Sequence, residues 1–164
     1  MIMDNERPRI LMKVSLTPQL ADRTWEYRLI SQRDPKALGI LMLEAYRGTI
    51  DYEGETLKDA IEEIQNTFEG KYGVFLQSCS FLIEKNEQAL SACLITFYEK
   101  MNMPLVAYMM THPRYKNLGM GTFLLKKCMN ALLDSGYEEL CLVVTEGNDP
   151  AYNLYERLGF SRGD

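Results

Sequence analysis

The chain is poor in metal ligands. It has one histidine, His112, and four cysteines, Cys79, Cys93, Cys128 and Cys141, with no C-x-x-C pair among them. A structural zinc site takes four Cys/His ligands, usually in close pairs, so no metal is expected and the thiols read as buried and reduced. No apolar run reaches the ~18 residues of a membrane helix. The start, "MIMDNERPRI", lacks the apolar centre of a signal peptide. A soluble, cytoplasmic chain with no membrane partner is therefore expected. There is no basic surplus either: 18 Lys and Arg stand against 23 Asp and Glu, a net charge of −5. Proteins that neutralise a phosphate backbone need the opposite balance, which disfavours a nucleic-acid partner. No repeat, low-complexity tract or Pro/Gly/Ser linker divides the 164 residues, so a single domain over residues 1–164 is expected.

Hydrophobic residues make up 46% of the chain, enough for a sizeable core. Ile10, Met12, Val14 and Leu16 alternate with Arg9, Leu11, Lys13 and Ser15, which predicts a strand. Thr24 to Ser31, "TWEYRLIS", is a second strand candidate. Asp34-Pro35 opens a helix, with aspartate at the N-cap and Leu38, Leu41, Met42 and Ala45 on one face. The loop "RGTIDYEGET" leads to a helix from about Thr56 to Glu69, striped by Leu57, Ile61, Ile64 and Phe68. "CSFLIE" and "ALSACLITFYE" around "KNEQ" read as a hairpin, and "PLVAYMMTH" as a third strand of the meander. A helix from Met120 to Asp134 follows, and then "ELCLVV", an unbroken apolar run expected to be covered on both faces. "NDPAYNLYERLGF" supplies another Asp-Pro helix start and a Gly159 stop. This order predicts an α/β (α+β) fold: a mixed central sheet with helices on both faces.

Two glycines, Gly119 and Gly121, stand at the first turn of the Met120 helix, behind Arg114 and Lys116. The N–H groups at a helix start are unpaired and carry partial positive charge, and glycines let an anion approach the backbone. A phosphate cradle and a merely flexible loop both fit two glycines taken alone. The P-loop pattern is absent, and Leu124 stands where a dinucleotide fingerprint requires its third glycine.

"THPRYKNLGMG" resembles the loop of the GNAT superfamily of acyl-CoA N-acyltransferases, R/Q-x-x-G-x-G/A after a strand ending near V-x-P. Here it is Thr111-x-Pro113, then Lys116-x-x-Gly119-x-Gly121, with Lys116 replacing the usual Arg or Gln. "NDPAYNLYERLGF" resembles the family's second signature, with Asn148, Ala151, Leu154, Tyr155, Glu156, Arg157, Gly159 and Phe160 in register. The likeness covers about residues 26–160, and "AYRGTIDYEGET" is especially similar to a bacterial branch of the family.

The resemblance implies a GNAT-like three-layer α/β/α fold and an acetyl-CoA-dependent N-acetyltransferase acting on a small-molecule or peptide amine. It implies that Met109, Met110 and Thr111 pair with the pantetheine arm. The diphosphate would rest on the amides of Asn117, Leu118, Gly119, Met120, Gly121 and Thr122, helped by the Thr122 hydroxyl. Asn148 would contact the cosubstrate, or else serve as a polar cap beside Asp149-Pro150. Tyr155 would protonate the departing coenzyme A thiolate; spacing alone would equally make it a packing residue beside Ala151, Leu154 and Leu158. For the base, Val143 stands where some relatives have glutamate, leaving Glu146, Asp51, Glu53, His112, a water chain or none. Asp51, Glu53 and Glu55 could attract a cationic amine. A non-catalytic acyl-CoA-binding or sensing domain, and a partner-binding scaffold, are the rival readings.

The family has two strands after the "GF", the last lying between two parallel ones, whereas only "SRGD" follows Phe160. Residues 1–25 add an extra strand and a linker. "RILMKVSL" is expected to fill the vacant slot, from its own chain or by exchange in a homodimer; an ordinary N-terminal extension on a truncated chain is the alternative.

Overall fold

The computed structural model describes residues 7–163; residues 1–6 of the N-terminal extension and Asp164 lie outside the described residues. The chain runs β1 (Arg9–Ser15), β2 (Arg28–Leu29), α1 (Pro35–Tyr46), α2 (Leu57–Phe68), β3 (Phe81–Lys85), β4 (Gln88–Tyr98), β5 (Met103–Thr111), α3 (Met120–Asp134), β6 (Glu139–Thr145), α4 (Asp149–Arg157) and β7 (Ser161–Arg162). Seven strands form one mixed sheet in the order β2-β3-β4-β5-β6-β1-β7. The meander β2 to β5 is antiparallel, and β5 and β6 are parallel. Asn86 and Glu87, both at positive φ, turn β3 into β4.

One face of the sheet carries α1 and α2 over a core of Ile30, Leu38, Leu41, Met42, Ile64, Leu82, Leu94 and Met110. The other carries α3 over Met12, Cys93, Phe123, Leu124, Cys128, Leu140, Leu142 and Phe160, with Ala151, Tyr155 and Leu158 of α4 packed against it. The expected three layers are present. All four cysteines are free and buried.

The alternating N-terminal segment is a strand inside the sheet. β1 lies between β6 and β7, antiparallel to both, and pairs with β6 from Arg9↔Thr145 to Ser15↔Glu139. Its even positions turn inward as the pattern requires: Met12 is 0% and Leu16 7% exposed.

Four local expectations need correction. Of Thr24 to Ser31, only Arg28–Leu29 is strand. Trp25 and Tyr27 set their rings edge-on against Phe123 of α3, and Tyr27 also against Phe81 of β3. Asp34 begins α1 but makes no side-chain cap bond. Its carboxylate accepts from the Ser31 amide (2.7 Å) and from both Arg28 Nη atoms (2.9 Å each). Burial opposes that charge, but the Arg28 bonds and the Ser31 amide more than offset it and hold the carboxyl below its ordinary range. In α2 the buried face is Ala60, Ile64 and Thr67, whereas Leu57 is exposed. Thr56 forms a capping box with Asp59 there, fixing where the helix starts. Finally, β6 is not covered throughout: Val143 is 42% exposed.

Candidate active site

The exposure of Val143 marks a gap in the sheet. β5 and β6 pair only at Leu105↔Cys141 and then separate. The separation coincides with a bulge in β5. Leu94 opposes Tyr108 and Ile95 opposes Val106, which leaves Ala107 outside the ladder. A bulge bends its strand and strengthens the local twist, here just beyond the last β5–β6 pair.

A cavity of about 270 Å³ occupies the gap. Leu105 to Met109 of β5 and Leu142 to Thr145 of β6 form its sides. Asn148, Ala151 and Tyr155 reach it from the start and body of α4, on the α3 face of the sheet. Tyr46, Asp51 and Glu53, from the end of α1 and the loop before α2, reach it as well. The cavity is thus lined from both faces, a consequence of two strands that stop pairing.

Tyr155 is half-buried, its ring edge-on to Phe160 at 5.8 Å. Burial pushes its phenol above the ordinary value near 10. The hydroxyl therefore remains protonated across the neutral range. Asn148 caps α4, its Oδ1 accepting from the Ala151 amide at 3.4 Å, and also lines the cavity. Thr145 Oγ1 donates to Asp51 Oδ1 at 2.8 Å, tying the α1–α2 loop to the end of β6. Burial, reinforced by the neighbouring Asp51 charge, also raises the Tyr46 phenol.

The glycine loop sits beside the cavity. Gly119 caps α3 with φ at +89°, a left-handed conformation that glycine adopts without Cβ strain. Asn117 is also left-handed, at φ +65°. A Cβ on Gly121 would come 3.3 Å from Met109 Cε and 3.5 Å from Thr111 Oγ1. That closeness joins the helix start to the cavity wall, since Met109 lines the cavity. Thr111 is held by Ser91 Oγ at 2.8 Å. Met110 is buried beneath α1 and α2, and Met120 is buried in the core on the α3 face. Leu118 is exposed, and Thr122 half-buried in the first turn of α3. Of the residues expected at the site, Met109, Asn148 and Tyr155 line one cavity, with Gly119 to Thr122 beside it.

Among the base candidates, only Asp51 and Glu53 line the cavity. His112 Nδ1 accepts from the Arg114 amide at 3.1 Å, and its ring stands against Tyr115. Glu146 is exposed, its amide tied to the Pro8 carbonyl at 2.8 Å.

Sequence reasoning missed two groups beside the glycine loop. Trp25 places its ring 3.4 Å from where a Gly119 Cβ would stand. The Arg23 guanidinium lies over that ring at 5.4 Å and donates to the Leu118 carbonyl at 3.2 Å. The linker carrying them is bound along α3, with the Gln19 amide on Asn130 Oδ1 and Lys126 Nζ on the Leu20 carbonyl. No linear motif announces such a position. It follows from the path the linker must take from β1 to β2 across the whole sheet.

The sequence model of the acetyltransferase (GNAT) family matches residues 42–160, from within α1 to the residue after Gly159. The chain belongs to that family. An N-alpha-acetyltransferase 30 of Xenopus laevis is 32% identical over 85 residues, a match covering 50% of this chain and 31% of that protein. This chain thus matches under a third of that relative's length. A GCN5-related N-acetyltransferase from Sphaerobacter thermophilus superposes with a TM-score of 0.72 at 16% identity, covering 96% of this chain and 49% of that one. A GNAT family acetyltransferase from Brucella melitensis, solved in complex with acetyl-CoA, superposes with a TM-score of 0.63 at 18% identity, covering 83% and 82%. At these identities the structural likeness shows the fold. Among the described residues, no cluster of three or more His, Cys, Asp or Glu could hold a metal, and no helix is long and apolar enough to cross a membrane.

Proposed function

We propose that this protein is an acetyl-CoA-dependent N-acetyltransferase that passes the acetyl group directly to an amine. One observation carries the reading: the β5–β6 gap is a single cavity with Tyr155 on one side and Asp51 and Glu53 on the other, beside the Gly119–Gly121 turn. The geometry fits the cosubstrate. A left-handed Gly119 and a Gly121 set close against Met109 leave bare amides at the start of a 15-residue helix, which favours a diphosphate. The unpaired edge of β5 beyond Leu105 suits an extended pantetheine arm, as an added strand would.

When bound, the thioester supplies an activated acetyl group with a thiol of pKa about 8.5 as its leaving group. Tyr155 donates its proton to the departing sulfur. A backbone N–H at the Ala107 bulge holds the carbonyl oxygen as negative charge gathers there. Asp51 and Glu53 attract the ammonium form of the acceptor and accept its proton, directly or through water. An alkyl ammonium of pKa about 10.4 resists this at neutral pH by roughly 4.6 kcal/mol, so an amine of lower pKa is favoured.

The first test uses the only tryptophan of the chain. Coenzyme A titrated into the protein should change Trp25 fluorescence saturably, because the ring stands against Gly119. Gly119→Val forces a β-branched residue into a left-handed conformation at a cost of about 1–2 kcal/mol, and should weaken coenzyme A binding by about tenfold or more. Unchanged fluorescence and affinity would reject the cradle. An amine panel assayed for released thiol then separates catalysis from mere acyl-CoA sensing.

Asp51→Asn with Glu53→Gln should raise KM for a cationic acceptor by about tenfold, the removed attraction being worth about 1.4 kcal/mol in this partly solvated setting. Steady-state kinetics with KM unchanged would remove the carboxylates from acceptor binding.

A further inference from the structure

We infer that Arg9 reads an oxygen next to the acceptor's amine, so that the acceptor is an α-amino carbonyl compound: a free amino acid or the N-terminus of a peptide. The inference rests on the proposed acceptor side of the cavity and names its substrate class.

Arg9 is the first residue of β1 and pairs with Thr145 of β6. The ladder continues beyond it, since the Glu146 amide donates to the Pro8 carbonyl at 2.8 Å, so the backbone is held on both sides of Arg9. Residues directly opposed in an antiparallel pair project to the same face, with Cβ atoms about 4.5–5.5 Å apart. The Thr145 hydroxyl reaches Asp51, so Arg9 projects on the face where Asp51 sits. Both line the same cavity, together with Glu53 and Tyr46.

Arg9 makes no close ion pair with the carboxylates of this cavity. Ion pairs among the described residues include Lys13–Glu139, Arg28–Asp34, Arg28–Glu84, Arg47–Glu44 and Lys71–Glu69, and none joins Arg9 to Asp51 or Glu53. The α1–α2 loop thus offers carboxylates for an ammonium, and β1, on the same face, offers a planar guanidinium. That fork suits a carboxylate or carbonyl oxygen and repels a second cation. A polyamine would satisfy the carboxylates but meet Arg9 with like charge. An α-amino carbonyl compound satisfies both at once, its ammonium on Asp51 and Glu53 and its oxygen on Arg9. The carbonyl also lowers the pKa of the neighbouring amine, to about 7.7–8.0 at a peptide terminus, which eases the proton loss that attack requires. Arg9 stands at the exposed start of β1, so replacing it removes a charge without opening the core.

The test compares four acceptors on the full chain: alanine, alaninamide, isopropylamine, which has no carbonyl, and spermidine. Each is assayed with wild type, Arg9→Ala and Arg9→Lys, with thiol release for turnover and Trp25 fluorescence for acetyl-CoA affinity. Arg9→Ala should lower kcat/KM for alanine and alaninamide by about tenfold or more, mainly through KM. Isopropylamine should be unaffected, spermidine unaffected or improved, and acetyl-CoA affinity unchanged. Arg9→Lys should fall between. A larger loss for alanine points to free amino acids, and a larger loss for alaninamide to peptide N-termini. Equal losses across all four amines, no loss, or spermidine as the best wild-type acceptor would overturn the inference. If wild type turns over none of them, calorimetric binding of N-acetylalanine and N-acetylalaninamide to the coenzyme A-loaded protein decides in the same way: an affinity lost in Arg9→Ala supports the inference, and no wild-type affinity overturns it. Failure to bind coenzyme A at all would be a different result, and would bring down the proposed function itself.

Discussion

Tyr155→Phe is expected to lower kcat by about 10²- to 10⁴-fold while leaving the affinity for acetyl-CoA and the melting temperature unchanged. The change removes one oxygen from a ring that would keep its contact with Phe160 and its place against the core. Packing therefore survives, and a loss of turnover reports the proton. Burial holds the phenol above its ordinary pKa near 10, so the group stays protonated until a thiolate forms beside it. Because that pKa is raised rather than lowered, no descending limb from Tyr155 is expected in the kcat–pH profile below about pH 10. The rising limb belongs to the acceptor amine. A variant that retained wild-type kcat would reduce Tyr155 to the packing residue that its helical spacing also allows.

Removing residues 1–16 is expected to abolish the folded state. β1 is sandwiched in the sheet, with β6 along its full length on one side and β7 on the other. Its removal would bare the backbone groups of β6, uncover the core around Met12 and Leu16, and leave β7 without its partner. Met12 alone is fully buried, and truncation of such a side chain costs about 2–5 kcal/mol. Against the roughly 5–15 kcal/mol that stabilises a typical domain, that loss together with the broken ladder to β6 is large. Circular dichroism and thermal unfolding of the truncated chain measure this directly. A cooperative transition near that of the full-length protein would show that β1 is dispensable, and with it the account of the vacant slot.

What the sequence disclosed, and what it withheld, follows from which signals are local. Helix starts are local, so Asp34-Pro35, the start near Thr56 and Asp149-Pro150 all mark real ones. The alternation from Arg9 to Leu16 is local as well, and the strand it predicts exists. The strand expected over "TWEYRLIS" exists only at Arg28–Leu29. Trp25 and Tyr27 pack on Phe123 of α3, and Tyr27 also meets Phe81 of β3. Composition made β6 look covered on both faces. Only pairing across the sheet, which ends at Leu105↔Cys141, shows why Val143 is open.

The site divides in the same way. Gly119, Gly121, Asn148 and Tyr155 fall inside short motifs and were legible. Asp51 and Glu53 were on the page as loop carboxylates, but so were Glu146 and His112. The Thr145–Asp51 hydrogen bond places the α1–α2 loop at the end of β6, and the cavity lining separates the two pairs. Arg9, Arg23 and Trp25 belong to no motif. They come to the site because β1 occupies the far end of the sheet and its linker must return across α3.

The most direct measurement is a crystal structure of the protein with acetyl-CoA. The account predicts the diphosphate on the amides from Asn117 to Thr122, the pantetheine arm along β5 in the gap beyond Leu105, and the thioester sulfur within hydrogen-bonding reach of the Tyr155 hydroxyl. A cosubstrate bound elsewhere, with the gap closed or the phenol directed away from the sulfur, would contradict it.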